Sequence, residues 1–261
     1  MISWDSYLCF ALTAIVLWLV AILLIVLKKA KGWIDVFSLA GTFVFLCFVI
    51  LYWHSIERPP MRTMGETRLW FALFIAAIGY VVYKIWHYEY IFGFYLIIAI
   101  VFACINIFKP EIHSKTLMPA LQSYWFIPHV VAYILSYAML GSATIMGMVV
   151  LIKKDYDNGV LLHSVDKLVY IGFGLLMLGM LMGAVWAKDA WGHYWSWDPK
   201  ETWAFITVAA YLMFIHLRLQ ANRGKHAMWV LIAAFVLLMI TWKGVNYLPS
   251  ARNSIHVYSN Q

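Results

Sequence analysis

Charged residues are scarce in this chain. Only 12% of its 261 residues are Asp, Glu, Lys or Arg, whereas 64% are hydrophobic. A soluble globular protein is closer to half apolar and a quarter charged. The shortage of charge therefore excludes an ordinary soluble domain and indicates an integral membrane protein.

Cysteine is also rare. The three cysteines, Cys9, Cys47 and Cys104, lie inside apolar stretches, and none belongs to a Cys-x-x-Cys pair. This spacing argues against a disulfide framework, a zinc site and a dithiol redox site. The net charge of +7 does not indicate a nucleic-acid partner, because many basic residues lie in short connections between apolar runs, where they set membrane topology.

Long apolar runs dominate the rest of the sequence. A spanning helix needs about 20 apolar residues, and eight segments qualify: approximately 7–27, 34–53, 69–86, 91–108, 128–152, 167–187, 202–219 and 227–243. The third and fourth are short, so they form either one hairpin or a partly re-entrant pair. The pattern predicts an all-α fold: a polytopic membrane helical bundle of about eight transmembrane helices, with a Trp-rich external loop and no soluble domain.

The basic residues predict the sidedness. Eight spans put both termini on one side of the membrane. On the opposite side ten Lys and Arg residues lie in short connections, whereas nine on the first side are spread over longer segments. Dense positive charge in short loops marks the cytoplasmic side. We therefore expect both termini and the loops around 109–127 and 191–198 on the outer side.

One outer segment concentrates aromatic residues. Residues 191–201, here called the tryptophan segment, read WGHYWSWDPKE, with three tryptophans within seven residues. An aromatic belt at a membrane surface would scatter such residues over many helix ends. Their convergence predicts a stacking platform of Trp191, Trp195 and Trp197 for a flat, partly polar ligand, with haem the leading candidate. If the segment is helical, Trp191 and Trp195 share one face.

The end of this segment has the signature of a helix start. Asp198 suits the N-cap, Pro199 suits the first helical position, and Glu201 can return a hydrogen bond to the cap. We expect Asp198 and Glu201 to cap the seventh span. A catalytic role for the two carboxylates is the alternative, and no catalytic residue is assigned.

The same residues resemble a known family signature. Trp186-Ala187, Trp191-Gly192 and the run from Tyr194 to Trp203 resemble the WWD signature of the haem-handling proteins of cytochrome c maturation. The Asp-Pro-Lys-Glu-Thr ending is similar to the CcsA (ResC) branch, and less so to the CcmC and CcmF branches. The likeness covers the second half of the chain, through Gly172-Phe173, Gly183, His216-Leu217-Arg218, Gly244-Val245-Asn246 and Ile255-His256-Val257-Tyr258. It implies two domains, N-terminal transmembrane helices (1–127) and a haem-handling WWD-type domain (128–261).

The resemblance implies haem b as the bound ligand and substrate. It implies that His129 and His256 are axial ligands of the haem iron at an outer site. It implies that His216 belongs to a transmembrane site that takes up haem from the cytoplasmic side. Trp191, Trp195, Trp197 and Asp198 would contact the same ligand. From the residues alone, ordinary interfacial histidines are the alternative.

The resemblance also implies a function. Such a protein presents haem on the outer side of the membrane for covalent thioether attachment to Cys-x-x-Cys-His apocytochromes. It acts as the haem-handling subunit of a two-chain holocytochrome c synthase (haem lyase), with a CcsB/ResB-type membrane protein as partner. The implied location is the bacterial cytoplasmic membrane or a thylakoid-like membrane. The alternatives are a haem transporter or chaperone without ligation activity, a b-type electron-transfer subunit and a structural scaffold.

Overall fold

Eight long helices make up most of the part of the chain that this computed structural model describes, residues 3–28, 31–108, 123–154, 159–220 and 223–247. No strand occurs among these residues, and the predicted all-α fold is confirmed. The helices are α1 (Tyr7–Val26), α2 (Lys31–Ile56), α3 (Met64–Trp86), α4 (Glu89–Phe108), α5 (Phe126–Lys153), α6 (Val160–Trp191), α7 (Pro199–Arg218) and α8 (Gly224–Trp242).

Capping explains why α3 begins before the predicted apolar run. The Thr63 side chain accepts a hydrogen bond from the Glu66 amide, and the Glu66 carboxylate accepts one from the Thr63 amide. This capping box starts the helix at Met64 and gives α3 23 residues, about 34 Å of helix. Since α4 has 20 residues, the two helices form a hairpin of full-length helices and not a re-entrant pair.

Seven of the helices in the described part of the chain are long and apolar enough to cross a membrane. The remaining one, α7, has 20 residues but carries Lys200 and Glu201 in its first turn and Arg218 at its end. The seventh predicted span, 202–219, thus forms a helix, but its composition alone does not qualify it as membrane-spanning. The chain is a multi-pass membrane protein.

The helices form two compact units, residues 1–121 (unit 1) and 122–261 (unit 2). In unit 1, α1 packs against α2 and α4, and α3 packs against α2 and α4. The Trp18 ring is completely buried between α1 and α2 because Gly41 has no side chain there. A Cβ atom at Gly41 would lie 2.8 Å from that ring.

In unit 2, as in unit 1, each helix packs against two others: α5 packs against α6 and α8, and α7 packs against the same two helices. Ser136 of α5 donates to the Gly172 carbonyl of α6 at 2.7 Å. Arg218 of α7 makes a two-pronged bond to Asp166 of α6, at 2.7 and 2.8 Å. Hydrogen bonds from polar side chains therefore link α6 to both α5 and α7. The predicted haem-handling domain, 128–261, stays a prediction.

The Asp166–Arg218 pair gives a stability prediction. Both side chains are only 12% exposed, so Asp166→Asn leaves a poorly solvated guanidinium without its countercharge, a change that costs about 3 kcal/mol. We expect a correspondingly lower free energy of unfolding in a detergent-micelle titration with sodium dodecyl sulfate. The matched control is Asp35→Asn, which breaks the more exposed Lys84–Asp35 pair and should cost less. Equal losses of unfolding free energy in the two variants would contradict the idea that burial makes the Asp166–Arg218 pair more costly to break.

Candidate functional site

His129 is held in one orientation at the start of α5. Its ring Nδ1 lies 2.7 Å from the Gly179 carbonyl oxygen of α6. A carbonyl oxygen only accepts hydrogen bonds, so Nδ1 carries the hydrogen and, in the neutral ring, Nε2 carries the lone pair. Metal-binding histidines are commonly oriented by such a second bond. The His129 ring is therefore in the tautomer that a metal ligand needs.

Aromatic rings surround this imidazole. The Trp186 ring stacks on it with centroids 5.6 Å apart, and the Tyr133 ring meets it edge-on at 4.5 Å. Trp186 is 6% exposed and also contacts Phe126 and Trp191, at 5.2 and 4.7 Å. His129, Tyr133, Trp186, Phe126 and Trp191 are called the His129 cluster below. They pack together where the start of α5 meets the end of α6.

Two glycines of α6 make room for the cluster. A Cβ atom at Gly183 would lie 2.7 Å from the Nδ1 and Cε1 atoms of His129, and one at Gly179 would lie 2.6 Å from the Tyr133 ring. Real side chains do not pack that closely, so any larger residue would displace the rings. Ser123, at the entry to α5, adds a hydrogen bond of 2.8 Å to Asp189 near the end of α6.

The tryptophan segment divides into a helix end and a loop. Trp191 is the last residue of α6, and Gly192 ends that helix in the left-handed conformation, with φ +86°. Residues 193–198 are not helical, so the condition under which Trp191 and Trp195 would share one helical face is not met. Glycine at the helix end redirects the chain. Trp195 instead meets Trp197 edge-on at 5.7 Å.

Trp197 occupies a costly backbone conformation. Its φ is +58°, and the left-handed region costs a residue other than glycine about 1–2 kcal/mol. The amides on either side, of Ser196 and Asp198, both donate to the Glu201 carboxylate, at 2.8 and 3.2 Å. Thr202 adds a side-chain bond of 3.2 Å to the Trp197 carbonyl. This network holds the Trp197 ring outward, 64% exposed and edge-on to Phe205 at 6.0 Å.

The helix start predicted at 198–201 is confirmed. Asp198 is the N-cap of α7, its carboxylate accepts a hydrogen bond from the Lys200 amide at 3.0 Å, and Glu201 completes a capping box. The carboxylates therefore have a structural role in these described residues. Burial lowers the pKa of Lys200 to about 8, while the nearby Asp198 charge opposes the shift. The Lys188 ammonium donates to the Gly192 carbonyl at 2.8 Å, beside the start of the loop.

His216 lies at the other end of α7. Its Nδ1 is 2.8 Å from the Leu212 carbonyl oxygen of the preceding turn, so its neutral ring also carries the lone pair on Nε2. The side chain is exposed, in contrast to the neighbouring Arg218, which is paired with Asp166. The 17 residue steps from Pro199 correspond to about 25 Å of helix. His216 thus belongs to the opposite end of the helix from the tryptophan segment.

The structure brings together only part of the predicted set. His129 and Trp191 share the His129 cluster through Trp186, while Trp195 and Trp197 pair with each other near Asp198. His256, the predicted second ligand, lies outside the described residues. The arrangement offers one oriented imidazole, several aromatic rings and the Lys188 ammonium beside the loop, which suits a planar ligand with a metal centre and anionic groups.

A family model described as "Cytochrome C assembly protein" matches residues 8–251 of the chain. The chain belongs to this cytochrome c assembly family. A relative named "Cytochrome c biogenesis protein CcsA", from Guillardia theta, is 32% identical over 278 residues, which cover 88% of each chain. The predicted membership of the CcsA-type cytochrome c biogenesis proteins is confirmed.

Two further relatives carry the same name. The protein from Chlamydomonas reinhardtii is 36% identical over 166 residues, and that from Atropa belladonna is 34% identical over 178 residues. The first match covers 59% of this chain and 46% of the relative, and the second covers 53% of this chain and 57% of the relative. The matched region thus spans about half the length of these two family members.

Several residues of the site carry roles that the sequence analysis did not assign. Gly183 contributes to the family resemblance, but its steric role toward His129 does not follow from that. The spacing Gly179-x-x-x-Gly183 is a signal for close helix packing in membranes, and it marks the face of α6 that receives α5. The clamping of Trp197 by Glu201 has no comparable signal, because a capping box alone does not indicate a strained neighbour.

The Trp197 clamp predicts a change in local order. Glu201→Gln removes the charge that two loop amides share, and bonds to charged groups are worth about 1.5–3 kcal/mol. Amide hydrogen exchange in residues 193–198 should accelerate by roughly tenfold or more, as measured by mass spectrometry of peptides covering the loop. Thr202→Val, which removes one neutral bond to Trp197, is the control and should have a smaller effect. Unchanged exchange in Glu201→Gln would contradict the clamp.

Proposed function

We propose that this chain handles haem in cytochrome c maturation, binding it at the His129 cluster and presenting it to an apocytochrome on the outer side of the membrane. The oriented imidazole of His129 carries the proposal, since its Nδ1–H bond to Gly179 leaves the lone pair on Nε2. Membership of the cytochrome c assembly family supports cytochrome c maturation as the process in which the chain acts. Haem b is the proposed substrate, and the chain is its carrier.

The proposed ligand set is His129 and His256. Haem iron takes imidazole as an axial ligand, and His129 has the required tautomer. The Trp186 face supports the imidazole, and the rings of Trp191, Trp195 and Trp197 offer apolar faces to the porphyrin. Their exclusion of water would protect the ferrous state.

The haem propionates need positive partners. Lys200 follows the loop in the first turn of α7, and burial lowers its pKa to about 8. Lys188 lies across the end of α6, with its ammonium 5.7 Å from the Tyr194 ring. We assign the propionates to this basic side of the tryptophan segment. Asp198 acts there indirectly, by capping α7 and holding Lys200 in place.

Haem entry is assigned to His216. Its ring is exposed at the predicted cytoplasmic end of α7, oriented by the Leu212 carbonyl. A CcsB/ResB-type partner would supply further ligands and an external domain. α7 runs from this end of the bundle to the tryptophan segment, which directly precedes it in the chain.

The chemistry at the outer site is addition without net oxidation. Each cysteine S–H of Cys-x-x-Cys-His adds across a vinyl group: a C–S and a C–H bond form while the S–H bond and the π bond break. The protein groups described here contribute positioning, by fixing the ring plane and excluding water. We propose that the chain is the haem-handling subunit of a two-chain haem lyase.

Histidine variants test the function. We expect the purified chain with its partner to show a six-coordinate haem spectrum that is weakened in His129→Ala and in His256→Ala. His216→Ala should reduce haem loading while leaving the outer-site spectrum of the remaining haem unchanged. Full haem retention in both outer-site variants would remove that site from the proposal.

A reporter cytochrome separates ligation from transport. Co-expression with a Cys-x-x-Cys-His apocytochrome should yield covalent haem, detected by in-gel haem staining after denaturation. His129→Ala should lower the yield. If the wild-type complex binds haem but forms no thioether, the chain is a haem transporter or chaperone and not a lyase subunit.

A glycine variant tests the orientation of His129 separately. Gly183→Val places side-chain atoms where the His129 ring lies and should break its bond to Gly179. Loss of such an orienting bond costs roughly 10–100-fold in metal affinity, so the haem affinity measured by titration should fall by about that factor and the haem content should fall with it. Gly174→Val, on the same helix, is the matched control, since a Cβ atom there meets nothing within 4 Å. Equal haem content in the two variants would contradict the role of Gly183.

A further inference from the structure

The connection between α2 and α3 in unit 1 contains a buried carboxylate that one arginine already neutralises. Glu66 is 1% exposed. Its carboxylate accepts two bonds from the Arg58 guanidinium, at 3.0 and 2.7 Å, and also bonds the amides of Arg62 and Thr63, at 2.7 and 3.1 Å. Charge and hydrogen-bonding capacity are therefore matched between Arg58 and Glu66.

Arg62 adds a second guanidinium to this connection. Its Nε atom is shielded from solvent and has no hydrogen-bond acceptor in the structure described here. None of the salt bridges among the described residues involves Arg62 or the neighbouring exposed residue Glu57. Burial, followed by the repulsion from Arg58, lowers the pKa of Arg62, while Glu66 opposes the shift. The pair of arginines thus leaves one positive charge uncompensated and one sheltered donor unused.

Aromatic residues indicate the depth of this connection. Trp70 donates its indole N–H to the Pro60 carbonyl at 2.9 Å, and its ring meets Trp53 edge-on at 6.3 Å. Trp53 is 40% exposed beside the turn. Tryptophan at the end of a spanning helix lies at the level of the lipid headgroups. Arg62 is therefore placed where phosphate groups are abundant.

We propose that Arg62 forms a binding site for the phosphate of an anionic phospholipid, with Trp53 and Trp70 beside the headgroup, while Arg58 stays paired with Glu66. A guanidinium presents its donors in a planar fork that matches phosphate oxygens. The phosphate accepts from the donors that Glu66 leaves unused and balances the remaining positive charge. The negative headgroup distinguishes this lipid from a zwitterionic one of the same chain length.

Native mass spectrometry of the detergent-purified full chain tests the site, with phosphatidylglycerol and phosphatidylcholine of matched acyl chains as probes. Arg62→Gln should weaken phosphatidylglycerol binding by about fivefold, as expected for one basic residue near a membrane surface. Phosphatidylcholine binding should not change. The matched control, Lys225→Gln, removes an exposed basic residue from the first turn of α8 and should bind both lipids like the wild type.

Several results would overturn the proposal. One is wild-type phosphatidylglycerol binding by Arg62→Gln, and another is an equal loss in Lys225→Gln. A third is a loss of bound haem in Arg62→Gln with lipid binding intact, which would assign Arg62 to a carboxylate of haem.

A second measurement needs no variant. Raising the ionic strength from about 50 to 300 mM shortens the Debye length about twofold, so the preference of the unmodified chain for phosphatidylglycerol should decline. A preference that does not change with salt would contradict a site held by charge.

Discussion

The candidate site depends on the close approach of α5 and α6, and that approach depends on two residues without side chains. Gly179 and Gly183 receive the rings of Tyr133 and His129, and a Cβ atom at either position would overlap them. The same approach brings the Gly179 carbonyl within 2.7 Å of the imidazole. Helix packing and the tautomer of His129 therefore have one common cause. In a bilayer, where apolar association between helices supplies little driving force, such small-residue contacts are a principal means of bringing helices together.

The two described histidines of the site are oriented in different ways. His216 donates to the carbonyl of Leu212, one turn earlier in its own helix. Its geometry is consequently set as soon as α7 forms. His129 donates to another helix, so its orientation exists only in the packed unit 2. This difference fits the proposed function, in which the exposed His216 receives haem and the half-buried His129 holds it for reaction.

Both ends of the tryptophan segment are governed by the rules for ending and starting a helix. Gly192 ends α6, and Asp198 and Glu201 start α7. Between them the chain has left the regular helix, which membrane-spanning segments require but surface loops do not. Glu201 therefore serves two purposes with one carboxylate: it caps α7, and it stabilises the strained backbone that presents Trp197. The capping geometry thus presents the exposed ring, which contacts the rings of Trp195 and Phe205.

Composition and periodicity were sufficient to predict the helices, because each apolar run forms its backbone hydrogen bonds within itself. The capping box of Asp198 and Glu201 could likewise be predicted from the sequence, since the two residues are three positions apart. Three features could not be predicted in this way: the non-helical loop, the stacking of Trp186 on His129 and the Asp166–Arg218 pair. Those contacts join residues 52 to 57 positions apart in the chain, and a single sequence contains no distance information on that scale. The apolar runs thus establish which segments are helical, whereas the contacts between helices arise only in the folded protein, because glycine positions permit close contact without selecting the partner helix.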